Sequence, residues 1–194
     1  MPDTRFGAFR DTLNRTINKT VSRDRLTVVP HTVDPTRAVI VAVVQGSHQV
    51  FRAIRLGNGH YLSVRMDVHL IPDGVSTDAN SIAYRQSEET RGDDWIFRYE
   101  YERLQAESGT YPYPVAHWHV NATPAAYAGA RPFPELHLPT GRLSLEDIIR
   151  HLIVEHAVPT LCPRADALAF LDEQRNTFQH RRTDPGRPAS VAEA

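Results

Sequence analysis

The sequence predicts an α+β fold: an N-terminal helix, a curved antiparallel sheet of about six to seven strands, and two C-terminal helices packed on one face. Helix-period apolar spacing is confined to the two ends of the chain. Between them runs a series of segments with strand alternation or β-branched character, joined by turns or loops. No helical segment separates consecutive strands, which favours antiparallel neighbours. A closed barrel is the alternative arrangement of the same strands.

At the N-terminus, Phe6, Phe9, Leu13, Ile17 and Val21 recur at three- and four-residue steps, the period of a helix over residues 3–22. Its other face carries Arg5, Arg10, Arg15 and Lys19, a solvated surface or a dock for RNA or an acidic partner. LTVVP, from Leu26, is a short strand ended by Pro30, and the β-branched run after Arg37 suits a central strand. Gly46-Ser47 reads as a turn, and the following segment around Val50, Ala53 and Leu56 breaks strict alternation. Gly57-Asn58-Gly59 is the strongest hairpin signal.

The alternation after it is clean: Leu62, Val64, Met66, Val68 and Leu70 share one face, and Tyr61, Ser63, Arg65, Asp67 and His69 the other. One face enters a core, while Arg65, Asp67 and His69 meet solvent or a cleft. PDGVSTDAN reads as a loop and SIAYRQSEE as a shorter strand. WIFRYEYER alternates again, with Trp95, Phe97, Tyr99 and Tyr101 opposite Ile96, Arg98, Glu100 and Glu102. After a Pro/Tyr loop, PVAHWHVNA is a strand with His117 and His119 on one face, and ELHLPTGR is a last short strand. Ser144 caps a helix with the stripe Leu145, Ile148, Ile149, Leu152 and Ile153, which ends near Ala157 ahead of Pro159. Pro163 starts the last helix. Residues 1–180 read as one domain, and 181–194, without apolar periodicity, as a disordered tail.

Composition narrows the function classes. The chain has 194 residues with a formal net charge of -1, which disfavours bulk electrostatic capture of nucleic acid but not a local basic patch. Cys162 is the only cysteine, so no intramolecular disulfide forms, and a reducing bacterial cytoplasm is the expected location. No apolar run is long enough to span a bilayer. Lys19 is the only lysine, an Arg-for-Lys bias that GC-rich coding explains most simply. Walker A, Rossmann, Gly-x-Ser-x-Gly and CxxC signatures are missing, which disfavours the enzymes built on them.

The chain holds ten histidines, and His117-Trp118-His119 is the sharpest motif they make. Alternate strand positions share a face, a geometry that suits two ligands of one metal or a general acid and base. Any exposed strand can also carry it. The cupin metal pattern, with an acid soon after His-x-His, is not met, because Asn121 and Ala122 follow and the next acid is Glu135. No metal or cofactor is therefore expected. His137 is the nearest third group if its strand pairs with that of His117. Arg98, Tyr99, Tyr101 and Arg142 are candidate substrate-binding residues: aromatics stack bases and arginines hold phosphates. Thr140-Gly141-Arg142 ahead of a helix is an anion site or an ordinary cap.

The stretch RYEYER…AHWHVNA…ELHLPTGRLSLEDIIRHLIVE resembles small bacterial proteins of toxin–antitoxin and defence loci, with TumE-like toxins the nearest named group. The resemblance covers residues 95–155. It implies a toxin acting on RNA or translation, neutralised by a cognate antitoxin, with His117, His119 and His137 in the site. The corresponding activity is a metal-independent, ribonuclease-like cleavage. The alternatives are a non-catalytic module that binds a partner protein, and a small-molecule site under the curved sheet.

Overall fold

The computed structural model describes residues 3–43, 51–90, 94–103, 115–121 and 136–182. The expected turn at Gly46-Ser47, the loops flanking the His-x-His strand and residues 183–194 of the expected C-terminal tail lie outside these residues, while 181–182 end the last helix. The described chain forms an open antiparallel sheet with helices on one face, as the alternation implied; it does not close into a barrel. The strands are β1 (Leu26–Pro30), β2 (Arg37–Ala42), β3 (Ile54–Arg55), β4 (Tyr61–Ile71), β5 (Gly74–Arg85), β6 (Trp95–Glu102), β7 (Ala116–Val120) and β8 (Leu136–Pro139). The helices are α1 (Thr4–Thr20), α2 (Leu145–Glu155) and α3 (Arg164–Arg182). The sheet order is β1-β2-β4-β5-β6-β7-β8, with the short β3 beside β4. Eight strands stand among the described residues, where about six to seven were expected. None of the described helices is long and apolar enough to cross a membrane.

The helix-covered face is the core. Cross-strand rows run Leu62–Tyr84–Phe97, Val64–Ile82–Tyr99–Trp118 and Ile40–Met66–Asn80–Tyr101. Against them pack Phe6, Leu13 and Ile17 of α1 and Ile148, Ile149 and Leu152 of α2, all buried. Each such side chain removed from water contributes about 1.5–3 kcal/mol. Helix α1 is tied to the sheet edge by Asn14, whose amide donates to the Leu26 carbonyl (3.1 Å) and accepts from its N–H (2.7 Å). Helix α2 starts on a capping box: the Asp147 N–H donates to Ser144 Oγ (3.2 Å), and the Ser144 N–H to Asp147 Oδ2 (2.9 Å). Helix α3 packs on α2 through Ala167 and Leu171 and the Arg175–Asp147 ion pair at 2.7 Å. The Cys162 thiol donates to the Lys19 carbonyl at 3.3 Å, a link between the α2–α3 connection and the end of α1.

Two local readings are corrected. PDGVSTDAN is not a loop: after a tight turn, β5 begins at Gly74 and pairs with β4 along its whole length. Its polar residues hid it, because one face of the sheet is polar. The register slips there between Asp67 and Val68, so Asp78 is an extra residue in β5. Second, Trp95 does not share a face with Phe97, Tyr99 and Tyr101. The β5–β6 register breaks between Tyr84 and Arg85, so Phe97 opposes Tyr84 while Trp95 opposes Arg85. Buried Arg85 pairs with Asp94 at this irregularity. Trp95 then packs edge-on against His119, with ring centroids 6.2 Å apart, on the face away from the helices.

Candidate functional site

The second face, free of helices among the described residues, is built from the other half of each alternation. β5 contributes small side chains to it, Ala79, Ser81 and Ala83. The flanking strands contribute charge. One row runs Arg65–Ser81–Glu100–His117 and the next Ser63–Ala83–Arg98–His119–His137. Pairing of β6 with β7 therefore sets Glu100 directly opposite His117 and diagonal to His119.

Side-chain geometry follows from that register. Glu100 Oε2 lies 2.8 Å from His119 Nε2 and 3.9 Å from His117 Nε2. The two imidazole centroids are 4.6 Å apart. The ligand atoms of all three residues fall within 4.8 Å of one another, the one such group of histidine, cysteine and acidic side chains among the described residues. His117 is fully buried and His119 is 3% exposed. The other carboxylate oxygen, Glu100 Oε1, is 2.9 Å from Arg98 Nε. The Arg98 guanidinium in turn lies 5.1 Å over the Trp95 ring. Glu100 is thus divided between a cation that orients it and a histidine pair that shares its remaining oxygen. Glu102, two residues on, has its carboxyl pushed up by burial first, then by Glu100 and Asp67, with Arg65 opposing.

The sequence candidates separate into two sets. His117, His119 and Arg98 come together on the helix-free face. His137 stands opposite His119 in the β7–β8 ladder, so its strand is the neighbour that the motif required. The placement of its imidazole lies outside what is described. Tyr99, Tyr101 and Arg142 belong to the helix-covered side. Tyr99 is fully buried, and its hydroxyl accepts from the Leu143 N–H at 2.9 Å. Arg142 lies 4.6 Å over the Tyr101 ring. At the Thr140-Gly141-Arg142 helix entry, the Asp147 amide is taken by Ser144.

Sequence reasoning passed over Glu100 as a partner of the histidines. It sought an acid downstream of His-x-His, whereas the acid comes from the preceding strand. Alternation did place Glu100 and Arg98 opposite the aromatics, and the β6–β7 register was the missing piece.

No protein-family model matches the chain, and no curated protein or solved structure matches it either. The resemblance to TumE-like toxins gains no support from these comparisons.

Proposed function

We propose that the chain is a metal-dependent enzyme whose centre is Glu100, His117 and His119, holding a divalent transition metal such as zinc or iron(II). The observation that carries this reading is the mutual approach of three ligand atoms within 4.8 Å on two adjacent strands. Ligands at about 2.0–2.2 Å from a metal in tetrahedral or octahedral arrangement lie roughly 2.8–3.6 Å apart. The two Glu100–histidine separations, 2.8 and 3.9 Å, lie close to that range, and the remaining pair, the two imidazoles, falls within 4.8 Å, so the histidines draw together when a metal binds. Two imidazoles and one carboxylate suit zinc and non-haem iron, and three protein ligands leave a coordination position for water or substrate. Arg98 holds the outer oxygen of the carboxylate, the kind of outer partner that orients a metal ligand. Bound there, the metal supplies Lewis-acid activation.

The test is metal analysis and titration calorimetry of the EDTA-treated full chain with zinc. One equivalent is expected to bind, with affinity at least ~100-fold weaker in His119→Ala and in His117→Ala. Wild-type affinity in both variants would remove this reading.

A second reading uses the same residues without metal, and the 2.8 Å Glu100–His119 contact favours it. There Glu100 orients His119, and the two imidazoles act as acid and base on RNA, the chemistry of a toxin held by a cognate antitoxin. RNA cleavage that persists in EDTA and is lost in the His117→Ala/His119→Ala double variant would establish it in place of the first.

A further inference from the structure

Beside the histidine cluster, the helix-free face holds a cavity of about 380 Å³ whose polar lining is His31, Arg37, Arg65, Asp67, Asp78 and Glu102. It lies over the irregular β4–β5 register that inserts Asp78. Bulges re-aim side chains, and here Asp78, 5% exposed, sits in the cavity wall with Oδ1 2.9 Å from His69 Nδ1. Arg65 is committed: its Nε and Nη2 donate to the two Asp67 oxygens at 3.0 and 3.1 Å. Arg37 is held more loosely: it forms ion pairs with Asp34 and Asp78 at 3.6 and 3.7 Å, longer than hydrogen bonds, and remains half-exposed. A planar fork paired at such length can turn to hold a ligand carboxylate bidentately.

The lining as a whole is not a polyanion site. Arg37 and Arg65 face three carboxylates, Asp67, Asp78 and Glu102. A phosphate chain would meet net negative charge. A ligand with one carboxylate and one ammonium would meet a complementary partner for each. The 3.7 Å between Arg37 and Asp78 puts the two signs side by side, as they are in the head of an amino acid. The volume lies at the small end of the range for ligand sites, about 300–1,000 Å³.

The cavity also adjoins the cluster. Arg65 and Glu100 occupy one cross-strand row with only Ser81 between them. Two strand spacings are about 10 Å between backbones, less after the side chains reach inward. In that row β5 offers only Ser81, and in the next only Ala79, so no large β5 side chain stands between the cavity and Glu100.

We infer that this cavity is the substrate subsite of the Glu100–His117–His119 centre and that it takes a zwitterionic amino acid. The carboxylate lies on Arg37, the ammonium against the acidic wall, and the side chain extends across β5 toward Glu100. The inference rests on the metal reading for its catalytic meaning but not for the binding itself.

The experiment titrates free L-glutamine and L-methionine, their N-acetyl and carboxamide derivatives, and inorganic phosphate into zinc-loaded and EDTA-treated full chain, read by calorimetry and ligand-observed NMR. Free amino acids are expected to bind at least ~10-fold more tightly than either blocked form, because each derivative leaves a charged group of the site unmatched. Arg37→Leu and Arg37→Gln are each expected to lose at least ~10-fold in amino-acid affinity, the cost of a lost charge-assisted contact, with zinc affinity unchanged. Phosphate binding above all the amino acids, wild-type binding in both Arg37 variants, or no binding of any free amino acid would overturn the proposal. Arg37-dependent amino-acid binding in a chain that takes no zinc would leave this subsite standing and remove the metal centre. Zinc binding without any zwitterion binding would do the reverse.

Discussion

The two faces of β6 make the most instructive contrast in the molecule. Phe97, Tyr99 and Tyr101 point at the helices and are buried against α2 and its entry. Arg98 and Glu100 point the other way and meet His119, His117 and Trp95. The aromatic face lowers the free energy of the fold by leaving water. The charged face gathers groups that cost free energy to desolvate and that persist only because they satisfy one another. Density of chemistry-capable residues in a stretch of sequence is therefore a poor guide to a site; the face they share decides.

That contrast can be broken by experiment. Phe97→Ala is expected to destabilise the chain by ~3–5 kcal/mol in urea unfolding, because the cavity lies under α2. A loss under ~1 kcal/mol would mean that the helix-covered face is not the core of the fold. Glu100→Gln keeps shape while removing charge. It is expected to weaken zinc binding by at least ~100-fold, about 2.7 kcal/mol, yet to move the metal-free unfolding free energy by no more than ~1 kcal/mol. A large loss of metal-free stability with unchanged zinc affinity would make Glu100 a structural ion-pair partner instead.

Ser144→Ala tests the helix that covers the aromatic face and should cost ~1 kcal/mol through the lost cap. Calorimetric melting temperatures within error of wild type would show that α2 does not depend on its capping box.

The smallest effect concerns pH. His156, at the end of α2, has ring centroids 5.1 Å from Tyr84 and 5.3 Å from both Phe97 and His151. Its pKa is lowered from 6.5 by burial first, then by His151 and His60, with Glu155 opposing. The unfolded chain thus takes up this proton more readily than the folded one. The contribution to stability is full above pH 6.5 and is lost as pH falls through the lowered value. Melting temperature should decline on acidification below about pH 6.5, and His156→Phe, which retains the ring contacts, should flatten that decline. An unchanged slope in the variant would assign the acid sensitivity to other groups.

Much of the frame was legible from local pattern. The α1 stripe, the clean alternation of β4, the Ser144 cap and the division of β6 into aromatic and charged faces all follow from side-chain period and capping chemistry. Those are short-range properties, which the sequence carries by itself. Two things were not legible. A strand whose polar face lies in a charged sheet surface looks like a loop, as residues 74–80 did. A single irregular register moves a side chain to the opposite face, as it did for Trp95.

By itself, then, the sequence determined most element types, β5's first half excepted, and the shared face of His117 and His119. Tertiary structure alone decided that Glu100 is their partner and that Arg142 and Tyr99 are not beside them. It also brought Arg37, Arg65 and Asp78 to one cavity. The reason is physical: strand periodicity specifies which way a side chain points, whereas register and strand order specify what it meets. Those are set by long-range pairing between segments that no local pattern encodes.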